Sequence, residues 1–146
     1  MPAATDALDK VLALSLLVGR DLERFERTER MTTPRVHLLW QLGAGGPSTQ
    51  RDLAHALDVS PRNITGLVDG LVASGHVTRE PHPTDRRATL VTPTAAGAAL
   101  FAALQHSHAA LAERLFGHLD EQRLGAFVTA LDDTLDRFPT PLEQSA

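Results

Sequence analysis

The chain has 146 residues, which suits one domain or one domain with helical extensions. Hydrophobic residues make up 42% and charged residues 22%, the balance of a soluble globular protein, and the net charge of −4 argues mildly against a nucleic-acid partner unless that charge is unevenly placed. There are no cysteines, which excludes disulfides, thiolate metal sites, cysteine nucleophiles and thiol redox sensing.

The longest apolar run, Val11 to Gly19, is too short to span a bilayer. Asp6 and Asp9 occupy the place where a signal peptide carries positive charge, and no small-residue cleavage pattern follows. The run is therefore read as helix, and the cytoplasm is the expected location. Residues 6–29 predict one long helix, with Leu8, Val11, Leu12, Val18, Leu22 and Phe25 at helical spacing. Leu14 and Leu17 widen that stripe beyond what a single neighbouring helix needs. Thr33-Pro34 reads as an N-cap followed by a first-turn proline, opening a helix through Leu42 with Val36, Leu39 and Trp40 facing inward. "GAGGP" then breaks the chain.

Thr49 with Asp52 three residues later is a weak form of the capping box, and Leu53, Ala54 and Leu57 give the short helix behind it one apolar face. "LDVS" is a tight turn. Ser60-Pro61 starts a second helix, with Ile64, Leu67, Val68, Leu71 and Val72 as its inner stripe and Gly75 as its stop. Two short helices joined by about four turn residues form a helix-turn-helix. Val77–Glu80 and Ala88–Thr92 then read as the strands of a hairpin whose polar tip carries Pro81, Pro83, Asp85, Arg86 and Arg87. From Thr94 the chain is helical to about Phe116, with Leu100, Leu104, His108, Leu111 and Leu115 in register. A last helix restarts at Leu119-Asp120 and carries Leu124, Phe127, Leu131, Leu135 and Phe138 until Pro139 and Pro141 end it, leaving a loose tail.

The fold class is thus mainly α with a small β-hairpin: a winged helix-turn-helix over 34–93, flanked by helical arms at 5–30 and 94–139, all one unit of 1–146. Charge follows the same division. Residues 48–92 hold five arginines and five acids and sum to zero, so the arms carry the whole −4.

In this plan the second helix enters the major groove with its N-terminal end toward the bases. Its outward positions include Ser60, Pro61, Arg62, Asn63, Thr65, Gly66 and Asp69. Arginine donates twice to guanine and asparagine pairs with adenine, so Arg62 and Asn63 are the expected base readers. Thr49, Ser60 and the free N–H groups at the helix start suit phosphate oxygens. Gly66 costs about 1 kcal/mol against alanine in a helix interior, which either close approach to DNA or tight helix packing would explain. The wing accounts for the paired arginines: a narrow minor groove concentrates negative potential and attracts Arg86, with Arg79 and Arg87 completing the candidate contacts. Asp85 is a poor phosphate neighbour and is expected to hold the wing arginines by ion pairing.

Residues 52–97, "DLAHALDVSPRNITGLVDGLVASGHVTREPHPTDRRATLVTPTAAG", resemble the MarR (multiple antibiotic resistance regulator) family of bacterial transcription factors. The likeness rests on Asp85, Arg86, Arg87, Val91, Thr94 and Gly97 at the family's spacing. Two departures stand out: Pro93 replaces a usual leucine and removes a backbone donor at the strand end, and Gly70 stands where the family is often basic. The resemblance implies a homodimer with interleaved first and last helices, reading a palindromic operator in double-stranded DNA. It also implies a repressor, no enzyme activity, no cofactor, and release from DNA by a small aromatic or anionic effector. By the same resemblance the effector pocket is lined by Leu14, Leu17, Val18, Val36, Leu39 and Trp40. The arms support dimerisation independently, since their apolar stripes exceed what a small winged domain covers.

Other signals point elsewhere with less force. Catalysis has no support: no nucleophile elbow, phosphate loop or dinucleotide fingerprint is present. Acid pairs such as Asp132-Asp133 face different ways on a helix. Seven histidines raise the question of metal, but His106 and His108 do not share a helix face and no metal-ligand spacing occurs, so no metal site is expected. His108 is read as a partly buried histidine with a local partner. Two alternatives remain: a winged helix used for protein contact without DNA, favoured by the acidic net charge, and a metal-responsive regulator.

Overall fold

The computed structural model describes residues 1–138, so the expected proline stop at Pro139 and Pro141 and the tail after it lie outside the described residues. The chain divides into two compact units, one from Met1 to Ala102 and a second from Ala103 onward. The first contains α1 (Ala4–Glu29), α2 (Thr33–Gly45), α3 (Gln50–Leu57), α4 (Pro61–Ala73), β1 (Val77–Pro81), β2 (Thr89–Pro93) and the start of α5 (Ala95–Phe116). The second contains the remainder of α5 and α6 (Glu121–Asp136). The mainly helical class with one antiparallel hairpin is as expected.

In the first unit, α1 ends on Arg30 in the left-handed region at φ 55°, with the Met31 N–H donating to the Glu26 carbonyl at 2.8 Å. Glu26 is the buried charged residue here, and the Thr33 hydroxyl donates to its Oε1 at 2.6 Å. That bond corrects the cap assignment. Thr33 commits its hydroxyl to α1, so the extended residue before α2 is Thr32, and Pro34 falls within the first turn. Helix α2 also runs past Leu42 to Gly45, through the glycines read as a break. Gly43 permits this: the Phe101 ring of α5 occupies the space a Cβ would need there. Trp40, half-buried, stacks at a tilt on Phe101, with ring centroids 5.5 Å apart and planes at 58°.

The core is built from Leu38 and Leu42 of α2, Leu53 of α3, Ile64, Val68 and Leu71 of α4, Val77 of β1 and Val91 of β2, all fully buried. Burying such a side chain contributes about 1.5–3 kcal/mol. Val72 does not belong to this face; it is 39% exposed. The hairpin pairs Val77 with Pro93, Arg79 with Val91 and Pro81 with Thr89, so β1 takes in Pro81, read as part of the tip, and β2 begins and ends one residue later than expected. Pro93 costs no interior hydrogen bond because it is the last strand residue, and the Thr94 N–H donates to the His76 carbonyl at 3.0 Å just beyond it. Ser48, ahead of α3, adds a short third edge: its N–H donates to the Val91 carbonyl at 3.2 Å and its carbonyl accepts from the Val91 N–H at 2.7 Å.

In the second unit, Asp120 caps α6, its carboxylate accepting from the Arg123 N–H at 2.8 Å, and the Phe116 and Phe127 rings lie 5.5 Å apart. Helix α6 ends at Asp136, and no α6 residue is buried. His108 is exposed rather than partly buried, because α5 presents that position to solvent in the single chain. Among the described residues no helix is long and apolar enough to cross a membrane.

Candidate nucleic-acid interface

The two helices of the helix-turn-helix begin on side-chain caps that the sequence specifies. The Thr49 hydroxyl accepts from the Asp52 N–H at 3.1 Å, and the Ser60 hydroxyl accepts from the Asn63 N–H at 3.1 Å. Both hydroxyls are thus engaged in starting helices. Pro61 follows Ser60 at the first helical position, where its missing N–H costs nothing. Between the helices the chain turns at Asp58, a non-glycine residue in the left-handed region at φ 52°. A groove of about 670 Å³ runs between α3 and α4, bordered by Arg51, His55, Asp58, Pro61 and Thr65 among others.

The outward face of α4 presents Arg62 and Asn63, both exposed, with neither side chain hydrogen-bonded among the described residues. Gly66 is exposed on the same face, and a Cβ added there meets nothing within 4 Å. Tight packing among the described residues therefore does not account for that glycine. Gly70 is different: an added Cβ would come within 2.5 Å of the Arg35 guanidinium, which reaches over from α2. A cation does lie beside position 70, but α2 supplies it.

Arg79 has a role that sequence reasoning missed. Its Nη2 donates to Asp69 Oδ1 at 2.6 Å and its Nε donates to Gln50 Oε1 at 3.0 Å. The Gln50 amide nitrogen in turn donates to the Thr65 hydroxyl at 3.1 Å, and that hydroxyl donates to the Pro61 carbonyl at 2.9 Å. One polar chain, Thr65–Gln50–Arg79–Asp69, thereby fastens β1 to the first turn of α3 and to the outward face of α4. Two of its members, Gln50 and Asp69, carried no local signal beyond the i, i+4 spacing of Thr65 and Asp69 on one helix face. Arg79 and Thr65 are accordingly occupied in holding the wing against α4.

At the wing tip, the Ala88 N–H donates to the Asp85 carbonyl at 3.2 Å, closing a β-turn with Arg86 and Arg87 at its centre. Neither arginine has positive φ, which fits a type I turn begun by aspartate. Both side chains are exposed, and neither forms an ion pair among the described residues. Asp85 was expected to hold them by ion pairing. Instead its carboxylate accepts from the Arg87 backbone N–H at 3.0 Å, because an aspartate opening a turn reaches the amide two residues on more readily than a side chain extended into solvent.

The wing is also fixed at its base. The Thr94 hydroxyl donates to the Gly75 carbonyl at 2.6 Å and accepts from the Gly97 N–H at 3.1 Å. The His76 carbonyl fills the space a Cβ on Gly97 would occupy. Thr94 and Gly97 thus lock the end of the hairpin and the first turn of α5 to the corner after α4.

The six candidate effector-pocket residues do not share one environment. Val36 and Leu39 are core residues, Trp40 and Leu14 are half-buried, and Leu17 and Val18 are exposed on α1. A cavity of about 260 Å³ between α2 and the start of α5 includes Leu39 alone of the six, with Leu42, Gly43, Pro93 and Phe101 among its other walls. No three His, Asp or Glu side chains converge as a metal site among the described residues.

Residues 31–89 match the model of the MarR family. The HTH-type transcriptional repressor NicR of Pseudomonas putida is 32% identical over 107 residues, which is 73% of this chain and 68% of that protein. The HTH-type transcriptional regulator YcgE of Bacillus subtilis is 38% identical over 55 residues, 38% of this chain and only 36% of that protein. The crystal structure of RV1404 from Mycobacterium tuberculosis superposes with a TM-score of 0.78 at 25% identity, covering 96% of this chain and 97% of that one. Streptococcus pneumoniae FabT, solved in complex with DNA, shares the fold with a TM-score of 0.76 at 17% identity, covering 90% and 92% of the two chains. The signature residues at the wing, the helix-turn-helix they follow and the extended likeness to NicR agree: this chain belongs to the MarR family.

Proposed function

We propose that the protein is a cytoplasmic, dimeric, sequence-specific regulator of transcription that binds a palindromic operator in double-stranded DNA and represses until a small effector releases it. The observation that carries the reading is the pairing of two unengaged elements on one scaffold. Among the described residues, the side chains of Arg62 and Asn63 at the start of α4 and of Arg86 and Arg87 at the centre of the wing turn have no hydrogen-bond or ion-pair partner. The polar chain through Arg79 fixes their spacing. In this reading α4 reads base edges in the major groove while the wing arginines meet phosphates and the minor groove. The likeness to a named repressor and to a protein solved on DNA supports it.

Dimerisation is supported by the apolar faces each unit leaves open: Leu8, Leu12 and Leu16 on α1, and Val128, Leu131 and Leu135 on α6. Faces of that size are covered by a partner in stable proteins, and two-fold symmetry then demands a two-fold operator. The effector is a small aromatic or anionic molecule that prefers a conformer whose α4 helices no longer match successive major grooves. It would be held near Leu14, Leu17 and Val18 of α1 and Val36, Leu39 and Trp40 of α2. Nothing in the site supports catalysis.

Titrating binding to promoter fragments against salt tests the reading. Phosphate contacts require log affinity to fall linearly with log salt, by about 0.9 per phosphate neutralised. Weak binding that is flat with salt would instead favour a winged helix used for protein contact.

A further inference from the structure

We propose that His82 is the positioning residue of the wing: its ring, neutral and accepting at Nδ1, holds the turn that presents Arg86 and Arg87. The functional half of this statement rests on the DNA-binding reading above; the structural half does not.

Three donors converge on one ring nitrogen. The Asp85 N–H lies 3.0 Å from His82 Nδ1, the Thr84 N–H 3.2 Å, and the Thr84 hydroxyl 3.5 Å. Backbone N–H groups only donate, so Nδ1 must offer its lone pair, and the ring carries its hydrogen on Nε2. Pro83 has no N–H, so Thr84 and Asp85 are the first amides after His82 that need a partner. The His82 N–H itself donates to the Ala88 carbonyl at 3.2 Å, on the far side of the tip. The residue thus joins both limbs of the loop. It is half-buried, whereas residues 83–87 are exposed. With the Asp85 amide fixed, its carboxylate is placed to receive the Arg87 N–H, and the Arg86-Arg87 turn follows.

An imidazolium bears hydrogen on both nitrogens. At this site it would set a donor against two donors and add a positive charge beside the arginine pair. The other charged groups of the hairpin do not offset this. Arg79 is engaged by Asp69 and Gln50, Glu80 accepts from the Thr78 hydroxyl at 2.8 Å, Asp85 accepts from the Arg87 amide, and no ion pair among the described residues reaches the His82 ring. The turn therefore depends on an acceptor at Nδ1.

The test uses the full chain and two variants. H82N supplies an amide oxygen as acceptor and carries no titrating group; H82F keeps a ring and offers no acceptor. Ring-nitrogen NMR should show the Nε2–H tautomer in the neutral protein. At one fixed pH the Thr84 and Asp85 amides should be protected from exchange in the wild type and in H82N, and unprotected in H82F. On a duplex selected from a random-sequence pool at fixed salt, H82F should bind about fivefold more weakly and H82N within about twofold of wild type, as loss and retention of a cap predict. An Nδ1–H tautomer, full protection in H82F, or an H82N protein as weak as H82F would overturn the proposal. A wild type that binds no duplex at all would end the DNA reading while the exchange data still decided the cap.

Discussion

Gly66 sits on the outward face of α4 with open space where a side chain would go. Alanine there relieves the helix of a flexible residue, so Gly66→Ala should raise stability by up to about 1 kcal/mol in a thermal melt. If the glycine exists to let the helix backbone approach DNA, the same variant should bind a duplex more weakly. Higher stability with unchanged affinity would remove that explanation. Among the described residues, the neighbouring Arg62 and Asn63 make no side-chain hydrogen bond or ion pair that a substitution would remove. Arg62→Ala and Asn63→Ala should therefore leave the melting temperature near wild type while costing about 1–3 kcal/mol in binding and relaxing base preference at one position per half-site. Selection of preferred sequences for each variant checks this, and unchanged selectivity would mean that other side chains read the bases.

At the scale of elements, the polar chain from Thr65 through Gln50 and Arg79 to Asp69 sets the wing against α4. Its ion pair lies at the surface, with Asp69 60% exposed, so it contributes only about 0–1 kcal/mol to folding. Its value is geometric. Arg79→Ala should barely move the unfolding midpoint yet weaken duplex binding several-fold, and Arg79→Lys should rescue poorly, because one ammonium cannot replace two divergent guanidinium donors. This network also marks the boundary of what the sequence discloses. The caps at Thr49, Ser60 and Asp120 were legible because each acts within three residues of itself. The order of elements and the wing arginines were legible for the same local reason. The internal partners of Arg79 lie ten and twenty-nine residues away, and no local pattern announces them. Thr33 reads as a cap in the sequence, since nothing local reveals its bond to Glu26 across the gap between two helices. The Ser48 edge leaves no trace in a single residue. The glycines at the end of α2 read as a break because only the tertiary position of Phe101 explains Gly43.

For the whole molecule, the apolar faces of α1 and α6 lie open, with Leu135 68% and Leu131 38% accessible in the single chain. Leu131→Asp should halve the mass seen by light scattering or prevent folding, and an unchanged mass with an unchanged melt would contradict the assignment of α6 to an interface. The net charge of −4 does not oppose DNA binding once its placement is considered, because the neutral segment 48–92 carries all the proposed contacts. Arg86→Ala should accordingly weaken binding to all sequences alike and flatten the salt dependence by about one phosphate. The corner at His76 has a last consequence. With Gly97 pressed on its carbonyl and Thr94 tied to both sides, the opening turn of α5, the β-hairpin and the end of α4 make a single handle. Whatever swivels that handle must swing finger and reading rod together, so occupancy on DNA would be governed by orientation, with no need for any part of the grip to melt.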